Sequence, residues 1–283
     1  MKSRSWLIIP VIAGFLGVAC QSARTQSAQP PQVVVVPQEQ TAPPAGMLPA
    51  GDSTPAMQAP APEAADGPAR LSYNSCNVEG PYIALTFDDG PHATLTPKLL
   101  DILKEKGVKA TFFVLGQNAA ANPEILQRAV AEGHEIGNHS WDHKAFPKAG
   151  GSGVASQLAQ ANSAIESATG KKPVLVRPPY GSTTATITKR LNKEYGLQVV
   201  MWDVDPLDWK NRNSARVTSE ILKNTKAGSI VLAHDIHPTT VAAMPATIDG
   251  LLANGFKLVT VSELIAMDRP QLAAKTAATP KPQ

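Results

Sequence analysis

Residues 82–91 read Tyr-Ile-Ala-Leu-Thr-Phe-Asp-Asp-Gly-Pro. The run Tyr82 to Phe87 carries no charge, and it stops abruptly at two adjacent carboxylates, Asp88 and Asp89. A short apolar run bounded by a Gly-Pro turn reads as a strand buried on both faces. The chain that follows changes period. Thr96 to Lys106 brings up Leu99, Leu100, Ile102 and Leu103 before Gly107, the pattern of a helix with a glycine stop.

That strand-helix unit recurs along the chain. Strands are predicted over 110–115, 135–138, 174–177, 198–202, 229–233 and 257–260. Helices are predicted from Pro123 to about Glu132, and over 154–169, 184–195, 215–224, 241–253 and 262–267. The first of these has Asn122 in the N-cap position and Pro123 behind it, a common helix start. Seven such units predict an α/β fold in which parallel strands, covered by helices, close into a distorted (β/α) barrel. In such barrels chemistry gathers at the C-terminal ends of the strands.

Outside the predicted domain, residues 78–268, the composition changes. Lys2 and Arg4 precede an uncharged apolar run from Trp6 to Val18, too short for a comfortable membrane span. It ends Leu16-Gly17-Val18-Ala19-Cys20, so residues 1–20 read as a secretory signal. The small residues before Cys20 resemble a bacterial lipoprotein processing site, which would place a lipid anchor on Cys20 in the cell envelope. Gln21, rather than aspartate, would then favour the outer membrane. The alternative is cleavage near Ala19 with no lipid. Residues 21–77 are rich in Pro, Ala, Gln and Ser, with ten prolines between Pro30 and Pro68, and read as a disordered linker. Residues 269–283 read as a disordered tail.

Of the 283 residues, 43% are hydrophobic, enough for a large core. A net charge of +3 without a concentrated basic patch argues against a nucleic-acid binder. The two cysteines, Cys20 and Cys76, exclude a disulfide-stapled scaffold. Cys76 reads as a small buried apolar residue, the sharper alternative being an intermolecular disulfide. A monomer is expected.

Polar clusters fall at five predicted strand ends. Asp88 and Asp89 repel one another unless a cation satisfies them. His139 and His143, four apart, suit a shared metal ion. With a carboxylate from another strand they make a two-histidine, one-carboxylate site with open positions, a catalytic arrangement. Arg177 opens an Arg-Pro-Pro-Tyr-Gly turn and can fix a carboxylate. Asp203 to Trp209 interleaves acidic and aromatic residues. His234 ends the strand over 229–233 and points toward the same mouth. Each cluster alone has a bland explanation: an acidic turn, a surface arginine, a core histidine. Their order along the chain does not.

The stretches Thr-Phe-Asp-Asp-Gly-Pro, His-Ser-x-x-His, Arg-Pro-Pro-Tyr, Asp-x-x-Asp-Trp and Leu-x-His resemble, in order, the motifs of the NodB-homology polysaccharide deacetylases, carbohydrate esterase family four. The resemblance covers about residues 78–265. It implies Asp88 as base and Asp89, His139 and His143 as ligands of a divalent metal, zinc foremost, cobalt or another ion being admissible. It implies His234 as the acid, with Arg177 orienting Asp88, Asp208 paired with His234, and the Tyr180 backbone N–H facing the oxyanion. Pro179, Tyr180, Trp209 and Leu232 are expected to shape the substrate pocket. His92 and His237 are expected at the rim. The implied activity is removal of N-acetyl groups from a polysaccharide, with peptidoglycan first; chitin and acetylxylan stand as alternatives, as does a glycan-binding protein without catalysis.

Overall fold

The structure, a computed structural model, describes residues 70–269. The calls on residues 1–69 and 270–283, including Cys20, lie outside the described residues. Among those described, no helix is long and apolar enough to cross a membrane.

All seven predicted strands are present. They are β2 (Tyr82–Asp88), β3 (Thr111–Val114), β4 (Glu135–Asn138), β5 (Leu175–Val176), β6 (Gln198–Val200), β7 (Ile230–His234) and β8 (Lys257–Leu258). An eighth, β1 (Ser72–Tyr73), precedes them. The sheet runs β1-β6-β5-β4-β3-β2-β7, with β8 on β2, and every ladder is parallel. Closure is partial, through two isolated bridges, Val204 with Val231 (parallel) and Ser75 with Ser229 (antiparallel). The seven-unit prediction thus stands as a distorted barrel, its seam narrowed to these bridges.

Each strand from β2 onward is followed by helix: α1 (Leu95–Lys106) after β2, α2 (Gly116–Ala121) and α3 (Pro123–Ala131) after β3, α4 (Phe146–Thr169) after β4 and α5 (Ala185–Lys193) after β5. Then come α6 (Asp208–Asn211) and α7 (Ser214–Asn224) after β6, α8 (Pro238–Ala253) after β7 and α9 (Val261–Ala266) after β8. Local chemistry explains the boundaries. Gly107 and Gly170 end α1 and α4 in the left-handed region that glycine enters freely. Thr260 and Glu263 form a reciprocal capping box on α9. Asn122 does stand at the N-cap of α3, but its amide donates to the Asn118 carbonyl instead of capping. Helix α4 starts eight residues before the predicted Val154 and bends at Gly150, whose φ is 69°.

The period of two along the strands sorts side chains to two faces. On β2, Ile83, Leu85 and Phe87 join the helix-facing core with Leu99, Leu100, Leu103 and Met244. Ala84 joins a second cluster with Phe113, Leu175, Val200 and Ile230, inside the barrel. The alternation puts Thr86 and Asp88 on that inner face, with Arg177, Leu232 and His234 contributed by neighbouring strands. Gly137 makes room there: a Cβ would lie 2.6 Å from the Phe113 ring.

The linker boundary at 77 needs correction. Ser72 and Tyr73 pair with Val199 and Val200, and Arg70 bonds Asp268 at 3.2 Å. Two-residue pairing carries no apolar period, so composition alone assigned 70–77 to the linker. Arg269, assigned to the tail, donates its N–H to the Asn77 carbonyl at 2.8 Å. Cys76 is 5% exposed, and burial foremost pushes its thiol up to about 12, an inert core residue.

Candidate active site

The five polar clusters converge at the C-terminal ends of the strands, around a cleft of about 330 Å³. Asp88, Asp89, His139, His143, Tyr180, Trp209, Leu232 and His234 line it, joined by Trp202 and Asp205.

Asp88 ends β2 and is 2% exposed. Its Oδ1 accepts from Arg177 Nη1 at 2.7 Å. Arg177 is fully buried, and its other donors reach Thr86 Oγ1 at 2.8 Å and the carbonyls of Val200 and Met201. Its guanidinium lies 4.1 Å from the centre of the Phe113 ring. A planar fork held on four sides and stacked on an aromatic face cannot be replaced by an ammonium point charge. Arg177 therefore fixes one oxygen of Asp88 and leaves Oδ2 toward the cleft, 3.7 Å from His139 Nε2.

Asp89, His139 and His143 offer ligand atoms that all lie within 4.8 Å of one another. Asp89 Oδ1 sits 3.4 Å from His139 Nε2 and 3.3 Å from His143 Nε2, and it is buried without a hydrogen-bond partner among the described residues. A carboxylate oxygen so placed needs a cation. The His139 Nδ1–H donates to the Arg177 carbonyl at 2.7 Å, which leaves the Nε2 lone pair free for a metal. Burial lowers the pKa of His143, which keeps that ring neutral as a ligand must be. Two nitrogens and one oxygen with open positions fit a catalytic divalent ion.

Backbone strain accompanies these positions. Asp89, Ser140, His143 and Tyr180 all have positive φ, between 61° and 74°. For bulky residues this is uncommon and clusters at functional sites. Ser140 supports its neighbour, its Oγ accepting from the His143 N–H at 3.0 Å. Tyr180, in a 3-10 turn that begins at the buried Pro179, packs its ring in an edge-on arrangement against His143, ring centres 4.3 Å apart.

Across the cleft His234 ends β7, in register with Asp88. Its Nδ1 bonds Asp208 Oδ1 at 2.9 Å, leaving Nε2 for the cleft. Asp208 is fully buried, and its Oδ2 also accepts from the His234 N–H at 2.9 Å and Thr240 Oγ1 at 2.7 Å. Burial opposes charge on His234, yet the bond and charge of Asp208, with Asp88 and Asp89 behind it, raise it to about 9. Burial likewise opposes charge on Asp208, but its bonds with His234 and Thr240 hold it below the usual range. Trp209 is half exposed and Leu232 is buried at 3%, on the cleft wall. His237 sits beside His234, ring centres 5.8 Å apart. His92 turns its Nδ1 to the N–H groups of Thr94 and Leu95 and caps the approach to α1.

Residues 76–200 match the polysaccharide deacetylase family. A peptidoglycan-N-acetylglucosamine deacetylase of Bacillus cereus is 38% identical over 188 residues, covering 65% of this chain and 87% of that protein. The chain belongs to the polysaccharide deacetylase family. A peptidoglycan-N-acetylglucosamine deacetylase of Listeria monocytogenes is 44% identical over 182 residues, which cover 64% of this chain and 38% of that protein. This polysaccharide deacetylase chain thus spans well under half the length of that relative. Among solved structures, a family pseudoenzyme from Bacillus anthracis matches at TM-score 0.65 and 28% identity, covering 70% of each chain. Membership in the deacetylase family therefore does not decide activity; the side chains in the cleft do. The family match ends at Val200, before Asp208 and His234, so the acid half of the site rests on the geometry above.

Sequence reasoning missed Thr86 and Thr240, which complete the environments of Arg177 and Asp208. Thr86 was legible as the inward residue two before Asp88. Thr240, the third residue of α8, carries no local signal. Trp202 was read as a strand end, and Asp205 within an acidic loop without a role; both line the cleft.

Proposed function

We propose that the chain is a metal-dependent hydrolase that removes the acetyl group from N-acetylated sugars of peptidoglycan, with zinc as the ion. The observation that carries the reaction class is the pair Asp88 and His234, register partners on neighbouring strands that line one cleft with an Asp-His-His donor set. The relatives' names support the substrate. The Asp89, His139 and His143 set would hold the ion, which when bound supplies Lewis acidity to an acyl oxygen and acidifies water.

The chain's own residues do the rest. Asp88, anchored through Oδ1, accepts at Oδ2 the proton of the attacking water. The water oxygen bonds to the acetamide carbon, and the Tyr180 N–H faces the oxygen that becomes negative. The C–N bond then breaks. An amine leaves poorly unprotonated, and His234 Nε2 donates the proton, held in readiness by Asp208. Acetate and a free amino sugar are the products. Leu232, Trp209 and Tyr180 wall the space for the acetyl methyl, while Pro179, expected in the pocket, lies buried at the start of the turn that carries Tyr180.

Localisation follows the same proposal: Cys20 carries lipid, and the domain works in the cell envelope. Metabolic labelling with a radioactive fatty acid, lost in Cys20→Ser, tests this. The activity is tested by acetate release from muropeptides, N-acetylglucosamine oligomers and acetylxylan by zinc-loaded protein. Release from acetylxylan alone rejects the substrate. Asp89→Ala is expected to lose zinc, and His234→Ala to keep zinc but lose turnover; zinc retained by Asp89→Ala overturns the ligand set.

A further inference from the structure

Asp89 holds its carboxylate between two imidazoles only because its backbone is left-handed, with φ at 74°. An aspartate left to itself favours extended or right-handed backbone. In either, the Cβ leaves its Cα in another direction, and Oδ1 no longer falls 3.3 to 3.4 Å from both Nε2 atoms. Something outside the donor set must hold this conformation.

The contacts around the Asp89–Gly90 peptide supply it from two sides. On one side, α2 presents the Asn118 amide, which donates to the Asp89 carbonyl at 2.8 Å. The Leu115 N–H, just before α2, donates to the next carbonyl, that of Gly90, at 3.0 Å. On the other side, the carboxyl group of Asp235 lies flat against Gly90. A Cβ on Gly90 would collide with both of its oxygens. Gly90 does not have positive φ, so this glycine serves close approach and not backbone freedom.

Asp235 is itself anchored. It is fully buried, and Thr96 Oγ1 on α1 donates to its Oδ2, while the same hydroxyl accepts from the His92 N–H at 2.7 Å. Its Oδ1 has no partner among the described residues. Burial foremost, with the nearby Asp89 charge contributing, raises its pKa to about 7. A fully buried carboxyl with one orphaned oxygen is costly to keep. Its position against Gly90 gives it a use.

We propose that Asn118 and Asp235, the latter through Thr96, are positioning residues that clamp the Asp89–Gly90 peptide in its left-handed turn and so set the affinity of the metal site. This rests on the metal reading of Asp89, His139 and His143. Neither residue touches the ion or the substrate. Each acts by pre-organising the ligand, and loss of such outer support typically weakens metal binding about 10–100-fold.

The test uses the full chain, stripped of metal and titrated with zinc against a chromophoric chelator. The variants are Asn118→Leu, which removes the donor, and Thr96→Val, which frees Asp235 while keeping the shape at residue 96. Wild type and Asp89→Ala are the references. The thermal midpoint of the metal-free protein is measured in parallel. The expected result is zinc binding about tenfold weaker or more by the folded protein of both clamp variants, whatever the shift of the metal-free midpoint. A purely structural role would lower the midpoint and leave the folded fraction binding zinc normally, which overturns the proposal. If Asn118→Leu does not fold, Thr96→Val decides alone. Wild type binding zinc, Asp89→Ala not binding, and both clamp variants matching wild type refutes the clamp and spares the metal reading. Wild type and Asp89→Ala binding alike refutes both.

Discussion

Replacing Asp208 by Asn separates proton chemistry from shape. Asn keeps one acceptor oxygen for the His234 N–H and Thr240, which now bond Oδ2 at 2.9 and 2.7 Å. It sets an NH2 group against His234 Nδ1, so the ring is held neutral with its proton on Nε2. The raise of His234 from 6.5 to about 9 is net of burial, which acts the other way and survives the substitution. The variant's imidazole therefore titrates at or below about 6.5. At pH 8 the protonated fraction falls from roughly nine-tenths to about 3%, a loss of about 30-fold in turnover. A divalent ion bound at Asp89 would offset that carboxylate's share, so a smaller loss is expected for the loaded enzyme. At pH 6 the acid is largely protonated in both proteins, and the deficit shrinks to about 1.3-fold. The assay is a pH–rate profile of acetate release from N-acetylglucosamine oligomers between pH 5.5 and 9.5. An equal deficit at every pH would refute the acid role of His234. Stability has the same sign. A raised His pKa stabilises the fold fully below 6.5, and the contribution, about 3 kcal/mol, is lost as pH climbs through about 9.

Arg177→Met strips Asp88 of its buried partner, and a loss of about 3–5 kcal/mol in urea unfolding is expected; less than about 1 kcal/mol would mean the pair is dispensable. His134 is 6% exposed and accepts the Ala110 N–H at Nδ1, and burial lowers its pKa below 6.5. The folded ring refuses the proton that the unfolded chain takes, so stability is present above pH 6.5 and declines as pH falls beneath it. Urea midpoints at pH 7.5 and 5.5 should differ less in His134→Gln than in wild type. Cys76 should react with a thiol reagent only after denaturant is added, and reaction in the native protein would contradict its burial.

The strands were legible because both faces are buried. Tyr82 to Phe87 shows an uncharged, mostly apolar run, and its acidic terminus points at once to a site. The histidine pair, the arginine turn and His234 were legible for the same reason: each interrupts an apolar run at a strand end. What was hidden is what depends on distant partners. Strand β1 has two residues and exists only through β6. Helix α2, Gly-Gln-Asn-Ala-Ala-Ala, has no hydrophobic stripe and is packed against α4. Asn118 and Asp235 look ordinary in the chain, since their roles arise from Gly90 and Thr96, neither of them a sequence neighbour.

The ion pair of Arg70 with Asp268 joins the two ends of the domain, beside the bond from Arg269 to Asn77. Both ends lie near the starts of the strands, whereas Asp88 and His234 sit at the finishes. Polypeptide therefore enters and leaves by a back door. A fusion made at Arg70 or Arg269 is therefore expected to leave the cleft open, which makes this domain easy to transplant.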